Sequence, residues 1–208
     1  MRSKPTILAS MIALALSGCA TMNQQECMVS DWRTVGFEDG SLGRPPETIG
    51  NYRQACAKHG VSPDLESYRS GHAEGIQNFC QPVKGFNYGR SGATYRGVCP
   101  AELEYGFLAA YNDGRQLYEL EAAVRSADAQ ITQRYRALEN IKAEITDKEA
   151  ALVTEGTSAA ERITLLSETK ELARQHGLIE AEIVELQRDR TLHVQALGEY
   201  RNTLAYEF

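Results

Sequence analysis

Through most of its second half the chain sets apolar residues at alternating steps of three and four. In one stretch they fall at Leu117, Leu120, Val124, Ala127, Ile131, Leu138, Ile141, Ile145 and Leu152, with Arg134 and Lys148 as polar breaks. In the next, Leu165, Leu172, Ile179, Ile183, Leu186, Leu197, Tyr200 and Leu204 keep the spacing, interrupted by Thr169, His176, Arg190 and His193. That period lays one apolar stripe along one side of a helix, so each stretch predicts a long helix that needs a partner. Between them Thr154-Glu155-Gly156-Thr157 breaks the pattern with a glycine suited to a helix C-cap, and Ser158 with Glu161 makes a capping box. Two arms of roughly fifty residues, each about 75 Å long at 1.5 Å per residue, predict an antiparallel coiled-coil hairpin. It is expected over 101–208, up to about Tyr206, with its turn near 154–158. Tyr135, Leu166, Leu178 and Val184 widen the apolar face beyond a two-helix seam. This calls for a third surface, from the rest of the chain or from another subunit.

At the start, Met1-Arg2-Ser3-Lys4-Pro5 is short and basic, and the apolar run from Ile7 to Leu16 is too short to span a bilayer as a helix. The two read as a secretory signal ending in Leu16-Ser17-Gly18-Cys19, which resembles the bacterial lipobox. Residues 1–18 are then removed, and Cys19 carries a diacylglycerol and an acylated amine. Several acyl chains, at about 0.8 kcal/mol per buried methylene, hold a protein on a membrane without a transmembrane helix. Ala20 follows, where lipoprotein sorting uses an Asp to keep proteins in the inner membrane, so the expected site is the outer membrane, facing the periplasm. The competing reading is an ordinary cleaved signal with a coincidental cysteine.

Charge separates the two halves. Without Arg2 and Lys4 the chain has 20 basic and 28 acidic residues; 20–100 carry eight of each, and from Ala101 onward there are 12 basic and 20 acidic. An acidic arm is a poor binder of nucleic acid and of anionic lipid headgroups, and the bland account is a solvated helical surface.

Beyond Cys19 lie Cys27, Cys56, Cys80 and Cys99, all before the long helices of an exported chain, so two disulfides are expected in a small helical head over 19–100. The stretches 31–42 and 47–59 read as two helices separated by Pro45-Pro46. Such a hairpin brings the start of its first helix beside the end of its second, which pairs Cys27 with Cys56. Ser62 is placed as the cap of a further helix running to about Phe79, with Pro63 at its first position. Cys80 then ends that helix and Cys99-Pro100 opens the long arm, so these two cysteines pair across the intervening loop.

Three segments of the head share a pattern: Trp32 with Gly36, Asp39, Gly40 and Gly43; Tyr68 with Gly71, Glu74 and Gly75; Gly106 with Ala110, Asp113 and Gly114. Small residues four apart share a helix face, and a helical glycine costs about 1 kcal/mol relative to alanine, so their repetition points to close backbone crossings. The core is expected around Trp32, Phe37, Tyr52, Tyr68, Phe79 and Phe107. A sharper alternative brings Asp39, Glu74 and Asp113 together on a cation or an acid–base site, against which Arg33, Arg44, Arg69 and Arg115 stand near enough in sequence to neutralise them.

From 81 to 98 the chain reads as a Gly-rich loop, an irregular β-like hairpin, with Gly85, Gly89, Gly92 and Gly97 alternating with aromatics and Lys84, Arg90 and Arg96 without an acid. Phe86, Tyr88, Arg90, Tyr95 and Arg96 form the candidate binding surface, for a glycan such as peptidoglycan or an anionic polymer. The plainer reading packs the same loop on the head.

Cys27 with Asp31-Trp32, Gly36, Asp39-Gly40, Gly43, Tyr52, Cys56, Gly60, Pro63-Asp64, Tyr68, Gly71, Gly75 and Cys80 form a specific constellation. It continues through Gly85, Gly89, Gly92, Tyr95, Gly97, Cys99-Pro100, Tyr111 and Asp113-Gly114. On these residues the chain resembles the uncharacterised proteobacterial lipoproteins grouped as domain of unknown function 2799. The resemblance spans 27–120 and implies that the head and the start of the long helix are one unit. It implies no activity.

His59, His72, His176 and His193 have no metal-ligand spacing; Gly89-Arg90-Ser91-Gly92 lacks the order of a nucleophile elbow; and no phosphate loop or two-cysteine redox motif occurs. The sequence therefore predicts a mainly α, non-catalytic, lipid-anchored envelope protein without cofactor or metal. Its hairpin serves a structural or protein-interaction role with an envelope partner or with itself, and the alternative is a glycan-binding module using 81–98. Discriminating the two is a matter of which surface meets a ligand.

Overall fold

The computed structural model describes residues 22–204; the signal segment, Cys19, Ala20 and Tyr206 lie outside them. Helices take 82% of these residues and no strand occurs among them. They are α1 (Gln24–Val29), α2 (Trp32–Ser41), α3 (Ile49–Ala57), α4 (Leu65–Phe79), α5 (Pro82–Arg90), α6 (Ala101–Val153) and α7 (Ala159–Thr203), with a 3-10 turn at Pro46–Thr48. The chain divides into two compact units, 22–80 with 98–100 and 81–97 with 101–204.

In the first unit α2 packs on α4 rather than on α3, the partner expected from sequence. The crossing is made by glycines. A Cβ on Gly36, Gly40, Gly71 or Gly75 would stand 1.9–2.4 Å from a carbonyl oxygen of the opposite helix, so only glycine lets the backbones meet. Cys27, Trp32, Ile49, Cys56 and Tyr68 form the core, with Tyr52 and Leu65 against it, whereas Phe37 is 39% exposed rather than in the core. Cys27 is bonded to Cys56 and Cys80 to Cys99, the pairing expected above, with Cα atoms 5.5 and 5.7 Å apart. Loops of this size restrict the unfolded chain by about 3–4 kcal/mol each. The cap of α4 is Asp64, not Ser62. Its carboxylate accepts from the Glu66 and Ser67 N–H groups, which a shorter serine three positions before Leu65 does not supply.

Residues 81–98, expected as a loop with β-like pairing, begin instead as helix α5, which packs on α6. Pro82 starts it, and Gly85 and Gly89, four apart, let it lie against α6. A Cβ on either would stand 2.4 or 2.1 Å from the carbonyl oxygens of Phe107 and Tyr111. Only 91–98 is irregular, turning through Gly92 and Gly97 at φ 79° and 69°.

Helices α6 and α7 pack together, and their cross-links run in opposite directions: Tyr200 to the Asp113 carbonyl, Arg201 to Glu121, Arg190 to Asp128, Arg134 to Glu182 and Lys148 to Glu168. The stripe read from sequence is the shielded side of both helices, with Leu117, Ala127, Leu138, Leu172, Ile183 and Leu197 buried and only Arg190 exposed among its positions. Between the helices Gly156 takes φ 93°, both bonds of the Ser158–Glu161 capping box are present, and Arg162 donates to the Leu152 carbonyl in the last turn of α6 and to the Thr157 carbonyl in the turn. Near Leu197 a third surface does reach the seam, since Phe86 of α5 clusters with Ala110, Leu117 and Leu197.

Candidate functional sites

The α2–α4 and α5–α6 pairs are built alike. Gly36, Gly40 and Gly43 have the spacing of Gly85, Gly89 and Gly92, and Tyr68, Gly71, His72, Gly75 and Phe79 have that of Phe107, Ala110, Tyr111, Gly114 and Tyr118. The contacts correspond as well. Gly36 faces the Tyr68 carbonyl as Gly85 faces that of Phe107; Gly75 and Gly114 face the carbonyls of Phe37 and Phe86; the left-handed Gly43 and Gly92 lie under the rings of Phe79 and Tyr118. Each turn is latched to the second helix at an equivalent place. His72 Nε2 donates to the Arg44 carbonyl at 2.8 Å, and the Tyr111 hydroxyl donates to the Ala93 carbonyl at 2.9 Å. In both, one cysteine precedes the first helix and its disulfide partner precedes the second. The chain thus holds an internal repeat. Its signal in the sequence is the run Gly-Phe-x-x-Gly-x-x-Gly at 36–43 and again at 85–92.

The copies differ in what fills the crossing. In the first, Asp39 is 2% exposed and its carboxylate accepts from the Tyr68 hydroxyl at 2.7 Å, the Tyr52 hydroxyl at 3.1 Å and Arg44 Nη1 at 2.8 Å. Burial, and then the bond to Asp39, push the Tyr68 hydroxyl far above the usual phenol range; Tyr52 moves the same way, and the bond to Asp39 raises Arg44. Every donor points at a carboxylate held by its own chain, which makes a satisfied buried network rather than a group presented to a ligand. In the second copy Tyr88 stands where Asp39 does, and an aromatic cluster replaces the network: Tyr95 lies 4.9 Å from Phe107 and 6.0 Å from Tyr111, ring to ring.

The acids of the cation alternative do not share a centre, since Glu74 is exposed and paired with Arg33 while Asp39 is buried against Arg44. No group of three His, Cys, Asp or Glu with metal-binding geometry occurs among the described residues.

Of the five candidate binding residues, Phe86 is buried in the core of the second unit instead of forming an exposed platform, because the helix it sits on turns that side to α6. Tyr95 is partly buried and donates to Glu104 at 3.0 Å, and Tyr88 lies against Tyr111 with ring centres 6.3 Å apart. Arg90 and Arg96 are exposed, Arg90 standing 3.9 Å from Glu121. The structure thus brings the aromatics together as packing and leaves the arginines on the surface.

On the long helix pair several large apolar side chains lie outside the seam and face solvent. They include Tyr135, Leu166, Leu178 and Val184, which the sequence had marked as widening the face, and also Val153, Ile163, Leu192 and Val194. Single exposed apolar residues are ordinary on a protein surface, and a contiguous run of them is what marks an interaction face.

Residues 31–116 match the family described as protein of unknown function (DUF2799). The match starts at Asp31, the cap of α2, and ends just past Gly114, so it takes in both glycine crossings and stops where the seam begins at Leu117. A domain of unknown function therefore occupies the repeat. No curated protein matches the chain, and no solved structure does.

Proposed function

We propose that this protein is a non-catalytic lipoprotein of the bacterial outer membrane, anchored by acyl chains on Cys19 and facing the periplasm. Its α6–α7 pair acts as a coiled-coil hairpin that binds other envelope proteins. The observation that carries the reading is the apolar surface left outside the seam, with Ile163 at 69%, Leu166 at 58% and Val184 at 62% exposure on a helix pair already packed along its own stripe. The anchor fits because α1 begins five residues beyond Cys19 and no helix among the described residues is long and apolar enough to cross a membrane. Cys19→Ala is expected to move the protein from the membrane to the soluble envelope fraction, and mass measurement of the N-terminal peptide to show acyl chains on Cys19. A photoreactive residue at Leu166 in intact cells is expected to capture protein; an unmodified Cys19 together with no capture would end the proposal.

A second reading, recognition of peptidoglycan or another anionic polymer, is favoured by Lys84, Arg90 and Arg96, all exposed on a segment without acids. Retention on purified sacculi that is lost in Arg90→Ala/Arg96→Ala, with no capture by the helix pair, would replace the first reading with this one.

A further inference from the structure

The two flanks of the long helix pair are unlike. On one side of the seam the charged positions of α7, at 161, 168, 171, 182, 185, 189 and 199, are all acids, and the equivalent positions of α6 add acids at 119, 144 and 147. Arg115, Arg134, Lys148 and Arg174, at adjoining positions, pair with Glu119, with Glu182, with Glu144 and Glu168, and with Glu171, so this flank keeps a net excess of acid. It includes the shallow groove where Arg134 and Leu178 sit beside Glu182, Glu185 and Asp189. On the other side, where the Tyr135 hydroxyl accepts from Gln187, bases at 125, 142, 170 and 201 stand with acids at 121, 128, 139, 149 and 180. This second flank is close to neutral, and along α7 it carries Ile163, Leu166, Val184 and Val194, all exposed.

It also carries two glycines that the single chain does not need. At seven helical glycines elsewhere a Cβ would stand within 2.4 Å of a neighbouring helix's backbone; at Gly177 and Gly198 it would meet nothing within 4 Å, as at Gly50 in the first turn of α3, but these two lie in the middle and last turns of a long helix. A helix-interior glycine without such a neighbour weakens its helix, and the α2–α4 and α5–α6 crossings both use glycine to admit another backbone.

We propose that α7 pairs with α7 of a second copy, antiparallel, through the flank that runs from Ile163 to Gly198; the inference rests on the reading of the helix pair as an interaction arm and names its partner. Charge selects this flank, because self-pairing through the other would set its net excess of acid, Asp147, Glu161, Glu185, Asp189 and Glu199 among it, against the same excess in the second copy, whereas the neutral flank meets itself with little net repulsion. Size selects the register. A two-fold axis between Glu180 and Ala181 brings Gly177 opposite Val184 of the other copy and Gly198 opposite Ile163, small against large, with Leu166 one residue from facing Val194. The acidic flanks then face outward. Glu180, nearest the axis, is the residue that limits affinity by meeting its own copy.

The test places a photoreactive residue at Val184 or Val194, and separately at Glu185 or Asp189, in the full chain in intact cells. The first pair is expected to give an adduct of twice the chain mass, with the residue at 184 joined near Gly177; the second pair is expected to give none. Val184→Lys, at a side chain exposed in the single chain, should abolish the adduct formed from position 194 while leaving the circular dichroism spectrum unchanged, and Glu180→Leu should increase its yield several-fold. Adducts from 184 and 194 to a different protein alone overturn self-pairing and leave the arm reading standing. Adducts from the acidic flank alone overturn it in favour of a basic partner, and no adduct from either flank removes both readings.

Discussion

Helix α6 is held in two opposite ways along its length. From Phe107 to Tyr118 it meets α5 where side chains are missing, Gly114 lying against the backbone of Phe86 and Arg90; from Leu120 to Leu152 it meets α7 through side chains repeated every three and four residues. The first contact has almost no tolerance, since nothing flexible lies between the chains. The second is a layer of side chains able to shift, over a seam with polar interruptions such as Thr169, His176 and Lys148. One helix thus carries a rigid crossing at its start and a more adaptable arm beyond it, and the family match covers the rigid part alone.

The largest expected effect sets two glycines of α6 against each other. Gly114→Ala puts a Cβ 2.1 Å from the Phe86 carbonyl oxygen, so α5 must move, at a cost of about 3 kcal/mol or more. Gly106→Ala meets only Pro82 Cγ at 3.6 Å and is expected to stabilise by up to about 1 kcal/mol through helix propensity. Urea unfolding followed by circular dichroism measures both; equal effects would show that α5 does not lie on α6 in solution.

The same contrast explains what the sequence made legible. The seam, the turn at Gly156 and the capping box could be read because each writes itself in residues close together: an apolar period, a breaker, a Ser with a Glu three positions on. The disulfides followed from helix ends. Helix α5 was hidden, because four glycines between 81 and 98 look like a loop to any propensity argument, and only the approach of α6 makes Gly85 and Gly89 helical. The α2–α4 partnership was hidden for a related reason. Its signal is an absence of side chains at 36, 40, 71 and 75, and absence does not name a partner. The Asp39 network needed the fold as well, since Tyr68 and Arg44 come to it from different elements.

A middle-sized effect compares the two copies of the repeat. Phe107, the equivalent of Tyr68, has no hydroxyl, so Tyr68→Phe makes the first crossing resemble the second while leaving Asp39 with one donor fewer. A lost hydrogen bond to a buried carboxylate costs about 2 kcal/mol. Trp32 is the chain's single tryptophan and lies in the same cluster, so its fluorescence reports this unit's unfolding. A change below about 0.5 kcal/mol would mean that the network adds little and that the crossing holds without it, as the second copy does.

The smallest effect belongs to the surface of the arm, where charges are paired in water. Arg174 donates to both carboxylate oxygens of Glu171, at 2.6 and 2.9 Å, and Gln175 adds a third bond at 3.1 Å. The bonds from Arg174, then from Gln175, hold the Glu171 carboxyl down at about 2, below its ordinary 4.5. A lowered folded-state value means that the pair's contribution is fully present above pH 4.5 and is lost as the pH falls through about 2. Because the carboxylate is solvated, that contribution is small and screened by salt, so it is to be read as a titration rather than as a melting shift. Carboxyl NMR of Glu171 is expected to show a midpoint near 2 that climbs toward 4.5 in Arg174→Gln. A native midpoint already at 4.5 would mean that the arm's ion pairs do not form in solution, and that its seam and glycine crossing alone hold α6 in place.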